Sequence, residues 1–246
     1  MSAFLTLAYL FFLGSLSGWV LELFFRKFFS TANPEHKWIN PGFCVGPYVP
    51  LYGCGLCILY LLAALGGSTG WENTAAGRAL LFAGMAVSMT AIEYVAGILL
   101  LKVAKVRLWD YSMLWGNVNG LICTLFSLLW AVLGAVYYFL LHPYILDALR
   151  WLANNLAFSF VIGYFFGVFT LDLAYSVRLV ARLKKFAEEN RVVVKYETLK
   201  AHLHVARERA KLAPRFFFPF RTVRPLTEHL REAAEALEER RGRHGV

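Results

Sequence analysis

Polar residues in this chain gather in short clusters, and five long apolar stretches lie between them. With ends good to a few residues, they run from Ala3 to Phe25, Val49 to Gly67, Ala79 to Leu101, Asn119 to Leu141 and Asn155 to Tyr175. A bilayer crossing takes roughly 20 mostly apolar residues, and lipid leaves no partner for free backbone groups. Continuous runs of this length predict helices, because barrel strands would alternate over about 10 residues. The pattern therefore predicts an all-α integral membrane protein of about five transmembrane helices. The first four form two tandem hairpins, and the fifth leads into a helical tail. The transmembrane domain covers 1–175 and the basic, amphipathic tail 176–246.

Composition supports a membrane solvent. The 246 residues are 59% hydrophobic and 17% charged, against about 25% charged in soluble domains. The net charge of +9 suggests nucleic acid only until it is mapped. Arg26, Lys27 and Lys37 join spans one and two, and Lys102, Lys105 and Arg107 join spans three and four. Seventeen more Lys and Arg follow Tyr175, and only Arg78 and Arg150 fall in the other two connections. The positive-inside rule then predicts an external N-terminus and a cytoplasmic tail, as in a bacterial cytoplasmic membrane. No basic region precedes the first span, which points to an uncleaved anchor. Anionic lipid accounts for the basic tail at about 1 kcal/mol per well-placed cation, and no nucleic acid is expected.

Each of the two hairpins carries a Glu on its first helix, Glu22 and Glu93, and an Asn/Gly cluster opening the next span. Such a parallel repeat is a known transporter device. Asn40, Gly42, Phe43, Gly46, Pro47, Pro50, Tyr52 and Gly53 belong to the first cluster. It suits either a gating loop or a rigid packed helix entry. Asn117, Asn119 and Gly120 belong to the second. Just before it, Trp109, Asp110, Tyr111 and Ser112 suit either a partner-docking surface or an amphipathic connector, with Asp110 able to pair with Arg107. Glu93 lies about 12 Å from the end of its apolar run. A charge at that depth costs about 2.5–3.5 kcal/mol or more unless paired, hydrated or protonated, so Glu93 is the leading candidate for a substrate path. Its alternative is a hydrogen bond to Ser, Tyr or Asn in a neighbouring span. Glu22, with Arg26 at i+4, and Asp172 suit interfacial anchoring.

Cys54 and Cys57 form a CxxC inside an apolar helix and suit packing better than redox work. The six histidines are expected in loops and tail, away from acidic residues, and no metal set or cofactor is predicted. Residues Val177 to Leu212 are expected to be helical, followed by an aromatic and basic patch, Pro214 to Pro225, and a last helix to about Arg241. Within the patch Arg215, Phe216, Phe217, Phe218, Arg221 and Arg224 suit an interfacial lipid anchor.

The segments GWVLELFFR (18–26), NPGFCVGPYVPLYG (40–53), WDYS (109–112), the Asn117–Gly120 opening and SLLWAVLG (127–134) resemble the family named "putative ABC transporter type IV", over roughly residues 8–140. Pro41 stands where that pattern has a basic residue, and the acid-rich stretch before WDYS is reduced to LLLKVAKVRL. The resemblance implies a polytopic permease. With no GxxxxGK[ST] phosphate loop in the chain, a separate ATPase subunit would supply the energy. Three readings follow: a permease subunit, a non-transporting scaffold whose tail recruits lipid or protein, and an intramembrane enzyme. No catalytic constellation supports the last. Five spans are few for a whole path, which leaves room for a homo-oligomer.

Overall fold

The apolar runs do become helices, and each helix outlasts its run. In the computed structural model α1 spans Ala3–Phe28, α2 Pro50–Thr69 and α3 Ala75–Ala104. The structure describes residues 2–30, 33–190, 192–209, 216–217, 228–230 and 232, with backbone alone at Arg207 and Arg209. Arg215, Phe218, Arg221, Arg224 and most of the expected last helix lie outside the described residues.

Ser2 caps α1, and Thr74 caps α3 through its hydroxyl and the Gly77 amide at 3.0 Å. Pro50 opens α2, where its missing N–H costs nothing. The fourth rod comprises α4 (Thr124–Val136), one π turn (Tyr137–Leu141) and α5 (His142–Asn154). Pro143 explains the π turn: it cannot donate, and its ring would strike the carbonyl one turn back. A short 3-10 turn, Leu156–Phe158, leads into α6 (Ser159–Glu189), a 31-residue helix. All five rods are long and apolar enough to cross a membrane, and they expose large side chains such as Leu80, Val87, Phe160 and Leu171. Lipid contact accounts for those apolar faces. The protein is an all-α integral membrane protein.

Two boundaries differ from the expectation. The fourth helix begins at Thr124, not Asn119, because Asn119 and Gly120 both take positive φ, 56° and 65°. Two left-handed residues in succession cannot enter a right-handed helix. The expected helix Val177–Leu212 is interrupted. α6 stops at Glu189, and Val194–Lys195 forms β2, which pairs in parallel with β1, Val106–Arg107. The β-branched run Val192, Val193 and Val194 favours extended backbone there. Helix α7, Tyr196–Arg209, then resumes.

The helices pack through small residues. A Cβ on Gly18 would fall 2.2 Å from the Tyr52 ring, and one on Gly14 2.8 Å from the Tyr52 carbonyl. Small residues let helix backbones approach where no hydrophobic effect drives association. Around the last turns of α3 and α6, Ala104, Val106, Leu183, Phe186, Tyr196, Leu199 and Leu203 bury one another. This second core holds the tail against the end of the bundle that carries the connections 30–49 and 105–123.

Candidate functional site

At that end of the bundle, side chains from five helices and the 105–123 connection form a polar chain with one aromatic link. It starts at Glu93 on α3, which is only 3% exposed. Its carboxylate accepts from Trp130 Nε1 of α4 at 2.9 Å and from the Tyr111 hydroxyl at 3.1 Å. Among the described residues no Lys, Arg or His stands within ion-pair distance of Glu93. Tyr111 stacks on Phe126, ring centres 4.3 Å apart, and the Trp130 ring lies 5.3 Å from that of Tyr52. Tyr52 in turn donates to Glu22 at 3.1 Å. Glu93 is thus held by a Tyr of the 105–123 connection, not by a Ser, Tyr or Asn of a neighbouring span as expected, and the span that does reach it supplies Trp130, which the sequence did not single out.

From Glu22 the chain runs outward as alternating charge. Arg26 donates to Glu22 at 3.0 Å, one helical turn away, and to Glu197 of α7 at 2.9 Å. The other oxygen of Glu197 lies 3.5 Å from Lys200 Nζ. Lys200, 2% exposed, donates to the carbonyls of Asn40, at 2.8 Å, and Gly42. Burial pulls the Lys200 ammonium down to about 8; Glu197 opposes that shift and Arg26 adds to it. Arg26, Ser30, Asn33, Ile39 and Glu197 line a small cavity beside this chain.

The connection 30–49 is folded around two acceptors. Asn40 takes Trp19 Nε1 at 2.7 Å and donates to the carbonyls of Cys44 and Val45, at 3.2 and 2.7 Å. Asp172 of α6 draws in the next turn. Its carboxylate accepts the amides of Val45 at 3.0 Å and Gly46 at 2.7 Å, Ser176 Oγ at 3.0 Å and the Tyr48 hydroxyl. Burial first, and the Asp172 charge second, push the Cys44 thiol up to about 12; burial and then the hydrogen bond to Asp172 raise the Tyr48 phenol. Asp172 was expected only to anchor; its hydrogen bonds instead organise the Gly46–Pro47 turn. Phe43 offers its carbonyl to Tyr196 at 3.2 Å, Pro47 is exposed, and Gly53 packs on Ser15 and Phe11.

The connection 105–123 is braced through Asp110. It pairs with Arg107 at 2.8 Å, takes the Ser112 amide at 3.2 Å and pairs with Lys195 of β2 at 2.7 Å. Burial resists the charge of Asp110, but the bonds from Lys195 and Ser112 outweigh it and hold the carboxyl far below its ordinary range. Trp109 Nε1 donates to the Leu121 carbonyl at 2.7 Å, and Asn117 Nδ2 to that of Leu114 at 2.9 Å. Asn119 reaches the Tyr94 hydroxyl at 3.0 Å. A Cβ on Gly120 would sit 2.4 Å from the Arg107 guanidinium, so a side chain has no room there. At the tip Met113 and Trp115 are 94% and 84% exposed.

Of the predicted residues, Glu22, Tyr52, Glu93 and Tyr111 meet in the polar chain, and Asn40 and Gly42 join it through Lys200. Ser112, Asn117 and Asn119 lie exposed. Phe216 sets its ring edge-on to Trp19, centres 6.3 Å apart, and Phe217 is exposed. Trp19, Trp130, Glu197 and Lys200 carry the chain but were not singled out, since each acts across more than 20 residues of sequence. The expected separation of histidines from acids is corrected: His202, His229 and Glu232 come together, with their nearest ligand atoms all within 4.8 Å. The four cysteines are free, and Cys57 Sγ donates to the Leu7 carbonyl at 3.3 Å.

No curated protein and no solved structure matches the chain. A family model described as "Putative ABC-transporter type IV" matches residues 9–177. The match takes in Glu22, Arg26, Tyr52, Glu93, Tyr111, Trp130 and Asp172, and stops short of Glu197 and Lys200. With more than half of its length matched, the chain belongs to that ABC-transporter-type family.

Proposed function

We propose that the chain is a permease-type subunit whose loop-bearing end faces the cytoplasm and docks a separate ATPase. One observation carries the reading. A buried intramembrane carboxylate, Glu93, is bonded to Trp130, whose ring packs on Tyr52; Tyr52 donates to Glu22, and Glu22 leads through Arg26 to Glu197 and Lys200 of the tail. Such a carboxylate at depth is costly to keep, and in membrane proteins marks substrate or ion paths. Here it is joined to a cytoplasmic element that a partner can move. The family match supports a transporter-related role. Met113 and Trp115 offer an exposed apolar tip, beside the Asp110–Lys195 pair, for the partner to grip.

The test is a native pull-down of the full chain in mild detergent. Recovery of a nucleotide-binding ATPase in fixed ratio supports the proposal, and Glu93→Gln should then uncouple its ATP hydrolysis from the permease without loss of assembly. Recovery of the chain alone, or of chain and anionic lipid only, turns the assignment to a scaffold.

A further inference from the structure

We infer that His202, His229 and Glu232 form a binding site for a zinc-class divalent ion that clamps residues 228–230 and 232 onto α7. Residues 228–230 and 232 are helical, which places His229 and Glu232, three apart, on one face. Leu230, 5% exposed, buries itself in the cluster of Leu199 and Leu203, and so fixes that face against α7 beside His202. His202 Nε2 and His229 Nδ1 are both buried and have no hydrogen-bond partner. Each points at the same carboxylate oxygen of Glu232, at 3.7 and 3.6 Å.

Those separations are too long for hydrogen bonds. They suit two ligands of one ion, because bonds of about 2.0–2.2 Å hold neighbouring donors roughly 3–4 Å apart. Two imidazoles and one carboxylate favour Zn2+ or a late first-row ion over Mg2+ or Ca2+, which prefer all-oxygen shells. Three protein ligands leave a fourth position for water or a partner's side chain. The clamp acts on the helix that presents Glu197 and Lys200, so occupancy would stiffen the tail's grip on the 30–49 connection.

The competing account is a metal-free ion pair between protonated histidines and Glu232. The experiment uses the full-length, tag-free protein in detergent, stripped with chelator and titrated with Zn2+ by calorimetry. Co2+ absorption then reports the donor set. One ion per chain with a Kd on the order of micromolar or tighter is expected. His202→Gln, His229→Gln and Glu232→Gln should each weaken it by about tenfold or more, while the remote His142→Gln leaves it unchanged. Glu232 is exposed, so its Gln variant tests the site without disturbing the core. Zn2+ should also slow amide exchange at 228–232 in the native chain and not in Glu232→Gln. Absence of binding, binding that survives the double histidine variant, or unchanged affinity in Glu232→Gln overturns the site.

Discussion

At the scale of single residues the strongest constraint is the company Glu93 keeps. Both of its oxygens are occupied by neutral donors, Trp130 and Tyr111, so removing one donor leaves a buried acceptor unsatisfied. Trp130→Phe should cost about 1–3 kcal/mol in detergent. Glu93→Gln and the double variant complete a cycle whose coupling reports the bond, measured by thermal unfolding. Additive losses would show that the contact contributes only packing. Lys200 behaves differently because it is a buried cation with two backbone acceptors and Glu197. Lys200→Met should loosen α7 from the 30–49 connection by about 1–3 kcal/mol, read as faster amide exchange over 196–203. The titration has a definite sign. With its pKa lowered to about 8 in the docked state, against an ordinary 10.4, docking by this group strengthens as pH rises between those values. Below about 8 it is protonated in both states and adds no further pH dependence. The Glu22–Arg26 pair was legible from an i,i+4 spacing. Trp130 and Lys200 were not, since their partners lie 37 and 160 residues away, and only the packed helices bring them together.

Elements repeat the lesson that local pattern is visible and pairing is not. Every apolar run became a helix, but the run at 119 overshot the true start because two left-handed residues, Asn119 and Gly120, precede it. The break after Glu189 was hidden by the helical spacing on either side of it. Val194 and Lys195, at the end of a run of three valines, proved to be half of a two-strand pairing with Val106 and Arg107, a partner no local pattern names. Between α1 and α2 the decisive residue is Gly18, whose missing side chain admits the Tyr52 ring that reaches Glu22. Gly18→Val should therefore do two things at once. It should destabilise the bundle by about 1–3 kcal/mol through overpacking, and displace Tyr52 from Glu22. Gly18→Ala should do the same more mildly. A variant as stable as the parent in detergent melting would show that α1 and α2 can separate without cost.

For the whole molecule the ties between tail and membrane bundle among the described residues include three that join different elements. These are the Arg26–Glu197–Lys200 chain, the Asp110–Lys195 pair and the shared core of Val106, Leu183 and Leu199. The tail therefore senses both connections that leave the bundle at this end, which the charge map alone could not reveal because it treats the basic excess as a lipid anchor. Acid should release one of the three. The carboxyl of Asp110 lies far below its ordinary value when Lys195 is docked, so the pair contributes fully above pH about 4, the undocked value. Its contribution falls away as pH drops further toward the docked value. Exposed in part, the pair adds about 1 kcal/mol. Protection of residues 192–200 against amide exchange, corrected for intrinsic rates, should drop several-fold between pH 5 and about 2.5. Asp110→Asn should show the low protection already at pH 5 and lose the acid step. If the step persists in Asp110→Asn, the acid-labile contact lies elsewhere, at Glu197 or at Glu208, which pairs with Lys37 at 2.9 Å. If neither protein shows a step, the tail is held by its apolar core and the charged chain only sets its register.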